Sequence, residues 1–358
     1  MSIKRLAALL VAVLICVMMI GCSVETAVNE TPTAVPTPSP TPKTDIEAVL
    51  GKPITLAIVS NADEASSSLF FTAAAKEAES MGVTVTTTAA GNGFDAAVAE
   101  AAQNADAVIV FLPQPTKNIS SLNELAIPAA VFETQKGSVL QGMSHLYYES
   151  DGELDAALNA ALTYPPHDTP VRLILLFETA ESPAYLAYRK LYEEGKIFPK
   201  EVFIASEEEL SADAWLTEKL TGYVEGMVDA VFAENATLAV GICDVLSAQG
   251  RTDMEVFCPG VTADTIARMQ SEPFVFAQAV GRNDALAGIL SVRAVLQMLH
   301  GEQAVTQTFE PVLINAGDLG EDPVSALSAI DSEKALLFNA DWMDKLRDYY
   351  SKEANTKK

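Results

Sequence analysis

The sequence predicts an α/β protein built from two successive parallel-sheet lobes. Between residues 53 and 350, short apolar runs rich in β-branched residues alternate with helical stretches and show no hairpin signals. The pattern runs once to about residue 150 and then starts again. A stretch of roughly 300 residues exceeds one usual hydrophobic core, so two lobes are expected.

The first lobe is predicted to begin with the strand "PITLAIVSN", whose apolar character is typical of a strand covered on both faces. The helix "SSSLFFTAAAKEAESMG" follows and ends at Gly82, a natural C-cap residue. The remaining elements are a strand, a helix, a strand, a short helix and a strand: "VTVTTTAA", "GFDAAVAEAAQNA", "DAVIVFLP", "ISSLNELA" and "IPAAVFE".

The second lobe is predicted to begin with a helix, because Ser150 and Glu153 have the spacing of a capping box. Strands and helices then alternate through "VRLILLFE", "SPAYLAYRKLYEEG", "EVFIAS", "ADAWLTEKLTGYVEGMVDAVFAEN", "ATLAVGIC", "DVLSAQG", "MEVFCPG", "TADTIARMQSE" and "FVFAQAV". A long helix, "NDALAGILSVRAVLQMLHG", and a late strand, "FEPVLINA", come next. The tail is predicted to be helical and then disordered over residues 351–358.

The N-terminus has the pattern of an export signal. Lys4 and Arg5 precede fifteen apolar residues, too few to cross about 30 Å of hydrocarbon comfortably. The end of this stretch, "MIGC", resembles the lipobox of bacterial lipoproteins. Residues 1–21 are therefore interpreted as a lipoprotein signal peptide, and Cys22 as the lipidated residue. Residues 22–52, rich in Thr and Pro, are interpreted as a semi-rigid tether.

The charge of the chain excludes one class of partner. The net charge is −25, and removal of Lys4 and Arg5 with the signal peptide brings it to −27. Such a chain repels the phosphates of nucleic acid, so nucleic-acid binding is not expected.

Motifs for catalysis, cofactors and metals are weak. Gly91-x-Gly93-x-x-Ala96 matches a dinucleotide fingerprint in letters, but it follows the second strand instead of the first, so it is interpreted as a glycine turn that opens a helix. The three histidines are isolated, and the sequence has no C-x-x-C, H-x-x-x-H or G-x-S-x-G pattern. We therefore expect no enzyme activity, no cofactor and no bound metal.

The order of several segments resembles the ribose-binding-like, type 1 periplasmic solute-binding proteins of ABC transporters. The segments are "ITLAIVSN", "KEAESMG", "IPAAVFETQ", "MSHLYYESDGELDAA", "LAVGICDVLSAQG" and "VFAQAV". The resemblance implies two lobes joined by three crossings, near Ser150/Asp151, Gln278/Ala279 and Pro311 to Leu313. The expected lobes are residues 53–150 plus 279–311 and residues 151–278 plus 312–350.

The resemblance also implies a ligand site between the lobes. Its positions fall on Ser60, Ser66, Ser67, Glu133, Thr134, Asp244 and Gln278. The two stacking aromatics of the family fall on Ser66 and Ser67, and its arginine falls on Thr134, so the chain departs from the family pattern there. A pyranose or furanose ring usually stacks on an aromatic side chain, and these positions supply none.

The chain contains four cysteines. Cys16 lies in the predicted signal peptide and Cys22 is the predicted lipidation site, so Cys243 and Cys258 are the two in the folded region. Both are predicted at the ends of strands that are neighbours in the resembled fold, so a disulfide between them is expected. The open alternative is a pair of buried free thiols.

The signal, the lipobox-like "MIGC" and the tether predict an extracytoplasmic protein that is lipid-anchored to a bacterial cell membrane. The resemblance implies a monomer. It would capture a small polar, carbohydrate-like solute and deliver it to an ABC permease. The alternative is a lipoprotein of the same fold that serves as a sensory or interaction subunit for a membrane receptor, with a diverged or empty pocket.

Overall fold

The computed structural model describes residues 53–113, 120–134, 142–163, 171–206, 209 and 213–356. All of them belong to one compact unit, Thr44–Lys358. The predicted signal peptide, lipidation site and tether lie outside the described residues. Two sheets with helices on their faces form this unit, which confirms the predicted α/β fold class.

The first sheet has the strand order β11-β5-β4-β3-β1-β2, and every neighbouring pair is parallel. Its central run, "AVIVFL", consists of six apolar residues that are all buried. The strands of this sheet are β1 (Thr55–Ser60), β2 (Thr84–Ala89), β3 (Ala107–Leu112), β4 (Ala129–Glu133), β5 (Ser144–Tyr148) and β11 (Thr306–Phe309).

The second sheet has the order β12-β10-β9-β8-β6-β7 and is parallel except for the pair of β10 and β12. Its strands are β6 (Leu173–Phe177), β7 (Glu201–Ile204), β8 (Ala230–Ala233), β9 (Glu255–Pro259), β10 (Phe276–Gly281) and β12 (Val312–Asn315).

Helices cover both faces of each sheet, and an apolar core lies on either side. They are α1 (Glu64–Ser80), α2 (Phe94–Asn104), α3 (Glu153–Thr163), α4 (Pro183–Glu193), α5 (Asp213–Thr221), α6 (Ala236–Ala248), α7 (Ala263–Ser271), α8 (Asp284–Leu299), α9 (Pro323–Ala329), α10 (Ser332–Leu337) and α11 (Asp341–Thr356). Among the described residues, none of these helices has the length and apolarity needed to cross a membrane.

The chain passes between the two sheets three times. It leaves the first sheet after Tyr148, returns after Gly281 and crosses again between Phe309 and Val312. The second crossing lies a few residues later than expected, because Gln278 and the residues that follow it still pair within the second sheet.

One predicted strand is wrong. "ATLAVGIC" forms the first part of helix α6, and the preceding strand β8 is "AVFA", which had been assigned to the end of a long helix. Asn235 caps α6 by accepting a hydrogen bond from the backbone N–H of Leu238 at 2.9 Å. The cap makes a helix start possible directly after β8.

The C-terminal segment differs from its expected place. Phe338, Trp342, Met343 and Leu346 belong to the core of the first lobe, whereas residues 312–350 had been assigned to the second. Helix α11 also continues to Thr356, so residues 351–356, expected to be disordered, are helical. Apolar side chains repeated along the start of α11 bury against the first lobe, and this burial determines where the helix packs.

Candidate functional site

A cleft of about 430 Å³ lies between the two lobes. Its walls come from the ends of strands and the starts of helices in both lobes, and from the crossing that follows β10. The lining residues are Ala62, Ala65, Ser66, Leu69, Pro113, Ala236, Thr237, Val240, Val261, Thr262, Ala263, Asp264, Arg282 and Asp284. In open α/β sheets ligands bind at this position, outside the carboxyl ends of the strands.

Capped helix N-termini converge on the cleft. Asp63, Asn235 and Thr262 each accept a hydrogen bond from the backbone N–H three residues later, which starts α1, α6 and α7 at the cleft wall. The first backbone N–H groups of a helix lack intrahelical acceptors. The cleft therefore offers fixed donors to an oxygen-rich solute.

Arg282 and Asp284 form the floor of the cleft at the second crossing. The guanidinium group of Arg282 donates two hydrogen bonds to the carboxylate of Asp284, one of them at 2.9 Å. It also lies 5.3 Å from the centre of the Phe111 ring of the first lobe. Because the arginine is held by the second crossing and by a first-lobe ring, it joins the two lobes at the base of the cleft.

Of the three serines expected at the site, one lines the cleft and two are buried. Ser66 lines the cleft on the first turn of α1. Ser60 and Ser67 are fully buried, and the hydroxyl of Ser67 donates to that of Ser60 at 2.7 Å. The hydroxyl of Ser60 also accepts from the backbone N–H of Ala62 at 3.1 Å. This pair is thus occupied in holding the turn between β1 and α1.

Glu133 and Thr134 lie at the end of β4, next to a second and smaller cavity. Thr134 lines that cavity, and its hydroxyl donates to the carbonyl of Pro113 at 3.4 Å. Glu133 is buried, and its Oε1 lies 3.6 Å from Nδ1 of His145. Neither residue is among those that line the large cleft.

Asp244 and Gln278 do not line the cleft. Asp244 lies on the exposed side of α6, where its carboxylate pairs with Arg268 of α7. Its expected place after a strand is wrong because the segment is helical. Gln278 is buried in β10 and donates from Nε2 to Oδ1 of Asn315 on β12 at 2.7 Å.

The expected disulfide is not formed in this structure. Cys243 and Cys258 are both buried free thiols within the same apolar core. Cys243 lies on helix α6 and not at a strand end, so the geometry that suggested a bridge between neighbouring strands does not apply. Burial raises the pKa of both thiols, which keeps them protonated and unreactive.

Sequence reasoning missed five polar residues of the cleft: Thr237, Thr262, Asp264, Arg282 and Asp284. A signal for the first was available, because Gly222 and Gly226 interrupt the predicted long helix and Asn235 is a preferred N-cap residue. The others lie in the turn after β9 and at the second crossing. Their position depends on the pairing of strands, which local patterns do not contain.

Metal ligands are not grouped in the part of the chain that the structure describes. Those residues contain no cluster of three or more His, Cys, Asp or Glu side chains that could hold a metal ion.

No protein-family model matches the sequence, and no curated protein matches it significantly. Solved structures do match. A sugar ABC transporter protein from Yersinia enterocolitica subsp. enterocolitica 8081 is 20% identical, with a TM-score of 0.59 over 86% of this chain and 98% of its own.

Two further structures are similar. The 5-methylthioribose transporter solute-binding protein from Thermotoga lettingae TMO is 18% identical, with a TM-score of 0.53 over 83% of this chain and 99% of its own. The arabinose-binding protein from Geobacillus stearothermophilus is 12% identical, with a TM-score of 0.52 over 75% of this chain and 98% of its own. The chain thus has the two-lobed fold of the type 1 periplasmic solute-binding proteins, as the resemblance in sequence predicted.

Proposed function

We propose that the protein captures a small polar, carbohydrate-like solute in the cleft between its lobes and delivers it to an ABC importer. The observation that carries this proposal is the cleft itself. Its volume of about 430 Å³ falls within the range of small-molecule sites, and polar groups of both lobes and of the second crossing line it.

The chemistry of the walls favours a ligand rich in hydroxyl groups. Ser66, Thr237 and Thr262 offer hydroxyls that donate and accept, and Asp264 offers a carboxylate that accepts. Apolar walls from Leu69, Val240 and Val261 leave the ligand few other partners. Each buried hydroxyl of a solute needs a hydrogen bond, and these groups supply them from two sides.

The cleft differs from a site that stacks sugar rings. No aromatic side chain is among the fourteen residues that line it in the described part of the chain. The chain segments 114–119 and 135–141, which follow β3 and β4, contain no aromatic residue either. We infer that recognition depends on hydrogen bonds, and that acyclic or small polyols suit the cleft better than pyranoses do.

Closure between the lobes would complete the site. Tyr148 at the end of β5 donates to the carboxylate of Glu153 on α3 at 2.5 Å, beside the first crossing.

Solved proteins of the same fold include solute-binding proteins whose bound ligands are 5-methylthioribose and D-arabinose. The proposal assigns binding to this chain and leaves the energy of transport to an ATPase partner.

Isothermal titration calorimetry tests the proposal. Wild type is titrated with acyclic polyols, pentoses, hexoses and nucleosides, together with Ala65→Trp, which fills the cleft from the first turn of α1. Ala99→Trp, on the exposed side of α2, is the matched control. We expect at least one solute to bind wild type and the control but not Ala65→Trp. No detectable binding of any solute to wild type, or equal binding by all three proteins, would contradict the proposal.

We also propose that Cys22 carries the lipid that holds the protein at the outer side of the cell membrane. The lipobox-like "MIGC" and the Thr/Pro-rich segment support this assignment. Growth with a labelled fatty acid should label the full chain and leave Cys22→Ser unlabelled. Labelling of both proteins would show that the lipid is elsewhere.

The second candidate function is that of a sensory or interaction subunit for a membrane receptor. The wall without aromatic side chains favours it, because a diverged cleft fits a protein that presents its surface to a partner. A pull-down of membrane proteins with this protein as the bait separates the two functions. Recovery of an importer permease supports transport, and recovery of a receptor kinase supports sensing.

A further inference from the structure

An ion pair lies at the floor of the interlobe cleft. Arg282 and Asp284 both line the cleft, and their side chains are only 17% and 5% exposed. A buried ion pair contributes little to stability, because the cost of removing two charges from water offsets their attraction. Arg282 is also not among the positions where the resemblance implies a ligand contact. The place of the pair at the floor of a cleft therefore points to a function in binding.

The backbone on either side of Arg282 is fixed. Gly281, before it, lies so close to the turn before α7 that an added Cβ atom would be 2.9 Å from the backbone nitrogen of Val261. Asn283, after it, donates from its side-chain amide to the carbonyl of Leu327 at 2.7 Å. The guanidinium group is therefore held in place before a solute arrives, which lowers the entropy cost of binding.

Three N–H donors of Arg282 have no acceptor among the residues that the structure describes. A guanidinium group carries five N–H donors. Nε and Nη2 of Arg282 each donate one hydrogen bond to the carboxylate of Asp284. Of the three that remain, one on Nη1 and one on Nη2 are parallel and form the free edge of the group. This edge fits two adjacent oxygen atoms of a ligand.

The charge of the cleft decides between two kinds of adjacent oxygens, a carboxylate and a pair of neighbouring hydroxyls. Among the described residues that line the cleft, Arg282 is the one cation, while Asp264 and Asp284 are carboxylates. Asp284 neutralises Arg282, and Asp264 adds a negative charge to the wall. The net charge of the whole chain, −25, also repels an anionic solute. Neutral neighbouring hydroxyls therefore fit the free edge better than a carboxylate does.

We propose that Arg282 determines the specificity of the cleft by donating two parallel hydrogen bonds to neighbouring hydroxyl oxygens of a neutral solute. Asp284 is a positioning residue, because it holds the other edge of the guanidinium group and neutralises its charge. The Phe111 ring, whose centre is 5.3 Å from the guanidinium carbon, packs on the same group from the first lobe. The inference rests on the proposed capture of a solute in the cleft and names the chemical group that the cleft selects.

Calorimetry on the full-length chain at pH 7 tests the inference with neutral probes and their carboxylate counterparts. The neutral probes are erythritol, ribitol and D-glucose, and the counterparts are erythronate, ribonate and D-glucuronate. A further probe, 1,5-pentanediol, is neutral but has no neighbouring hydroxyls. We expect wild type to bind at least one neutral probe, to bind its counterpart more weakly by about tenfold or more, and not to bind the pentanediol.

Two variants test the roles of the pair. Arg282→Lys keeps the charge but loses the parallel donors, so it should bind the neutral probe more weakly by about tenfold or more. Asp284→Asn keeps the shape but removes the charge that neutralises Arg282, so it should bind the carboxylate counterpart more tightly than wild type does. A merely structural role of Asp284 would not produce this change of preference. Arg189→Lys, on an exposed part of α4, is the control and should bind as wild type does.

Thermal unfolding shows whether each variant is folded, and the comparison of a probe with its counterpart on wild type needs no variant. Equal affinity of wild type and Arg282→Lys for the neutral probe would overturn this inference without contradicting solute capture. So would equal affinity of wild type for a probe and its counterpart or the pentanediol, an unchanged preference in Asp284→Asn, or binding of another solute but of no neutral probe. Failure of wild type to bind any solute would overturn the proposed function as well.

Discussion

At the scale of single residues, buried carboxylates connect distant parts of the chain. Glu77 of α1 is 9% exposed, and its Oε1 accepts from Arg293 of α8 at 2.7 Å and from Arg347 of α11 at 2.6 Å. These bonds join three helices that come from the beginning, middle and end of the folded region. They hold the C-terminal helix on the first lobe together with its apolar contacts.

Replacement of Glu77 should loosen this attachment. In Glu77→Gln the partly buried Arg293 loses its counter-charge and Arg347 keeps only that of Asp344, which we expect to lower the free energy of unfolding by about 2–4 kcal/mol. Urea denaturation followed by circular dichroism measures the change. Glu79→Gln, two residues along and exposed, should differ from wild type by less than about 0.5 kcal/mol. Equal stability of the two variants would show that the arginine pair contributes nothing.

Glu255 at the start of β9 should make stability depend on pH. Burial, together with the negative charge of Asp229, raises the pKa of Glu255 from 4.5 to about 7. A carboxyl group whose pKa is raised in the folded state favours the protonated form. Its contribution to stability is therefore complete below about pH 4.5 and is lost as the pH rises through about 7.

Glu255→Gln should thus become more stable than wild type as the pH rises from 5 to 8. Because Glu255 is partly exposed, we expect a gain of only about 1–2 kcal/mol at pH 8. Thermal unfolding at several pH values measures it, with the exposed Glu201→Gln as the control. A stability difference between Glu255→Gln and wild type that stays constant with pH would contradict the shifted pKa.

At the scale of elements, helices α1 and α8 approach each other closely at Gly288. A Cβ atom added there would lie 2.5 Å from the carbonyl oxygen of Phe70 and 3.1 Å from the backbone nitrogen of Ala74. These are backbone atoms of α1 and cannot rotate away. The absence of a side chain at Gly288 therefore allows the short distance between the two helices.

Gly288→Ala should force the helices apart. We expect a loss of about 2–3 kcal/mol, although alanine favours a helix by about 1 kcal/mol over glycine. Chemical denaturation of Gly288→Ala and of Gly93→Ala makes the comparison, because an added Cβ at Gly93 meets no atom within 4 Å. A Gly288→Ala protein as stable as wild type would mean that the backbones adjust without cost.

Most elements of the fold could be predicted, because the spacing of apolar residues and the composition of a short segment indicate its secondary structure. The run "DAVIVFLP" forms the central strand β3, and Gly82 ends helix α1 as expected. The segment "ATLAVGIC" misled because an apolar stretch of eight residues fits a buried strand and a buried helix equally. Asn235, which starts α6, decides between them, and its capping bond becomes visible only in three dimensions.

The candidate site was less predictable than the fold. Of the seven residues expected to bind a ligand, Ser66 lines the large cleft and Thr134 lines the smaller cavity at the end of β4. Asp244 was misplaced by the error at α6. Which side chains meet at a cleft depends on strand order and on the length of each turn, and Arg282 belongs to the site only because the chain crosses there.

At the scale of the whole molecule, the two sheets share no strand, and the chain passes between the lobes at the three sheet crossings and once more between Leu327 and Ala335. Such a connection allows the lobes to close over a solute, since few backbone segments must bend. The central claim is that a solute binds both lobes at once. It requires contacts from α1 in the first lobe and from α6 and the turn before α7 in the second.

Hydrogen–deuterium exchange, measured by mass spectrometry with and without a solute identified by calorimetry, tests this claim most directly. We predict that saturation slows exchange at residues 62–69, 236–240 and 261–264 together, because the solute covers both walls of the cleft. Exchange at α2, remote from the cleft lining, should not change. Protection confined to one lobe, or none at saturation, would contradict binding between the lobes.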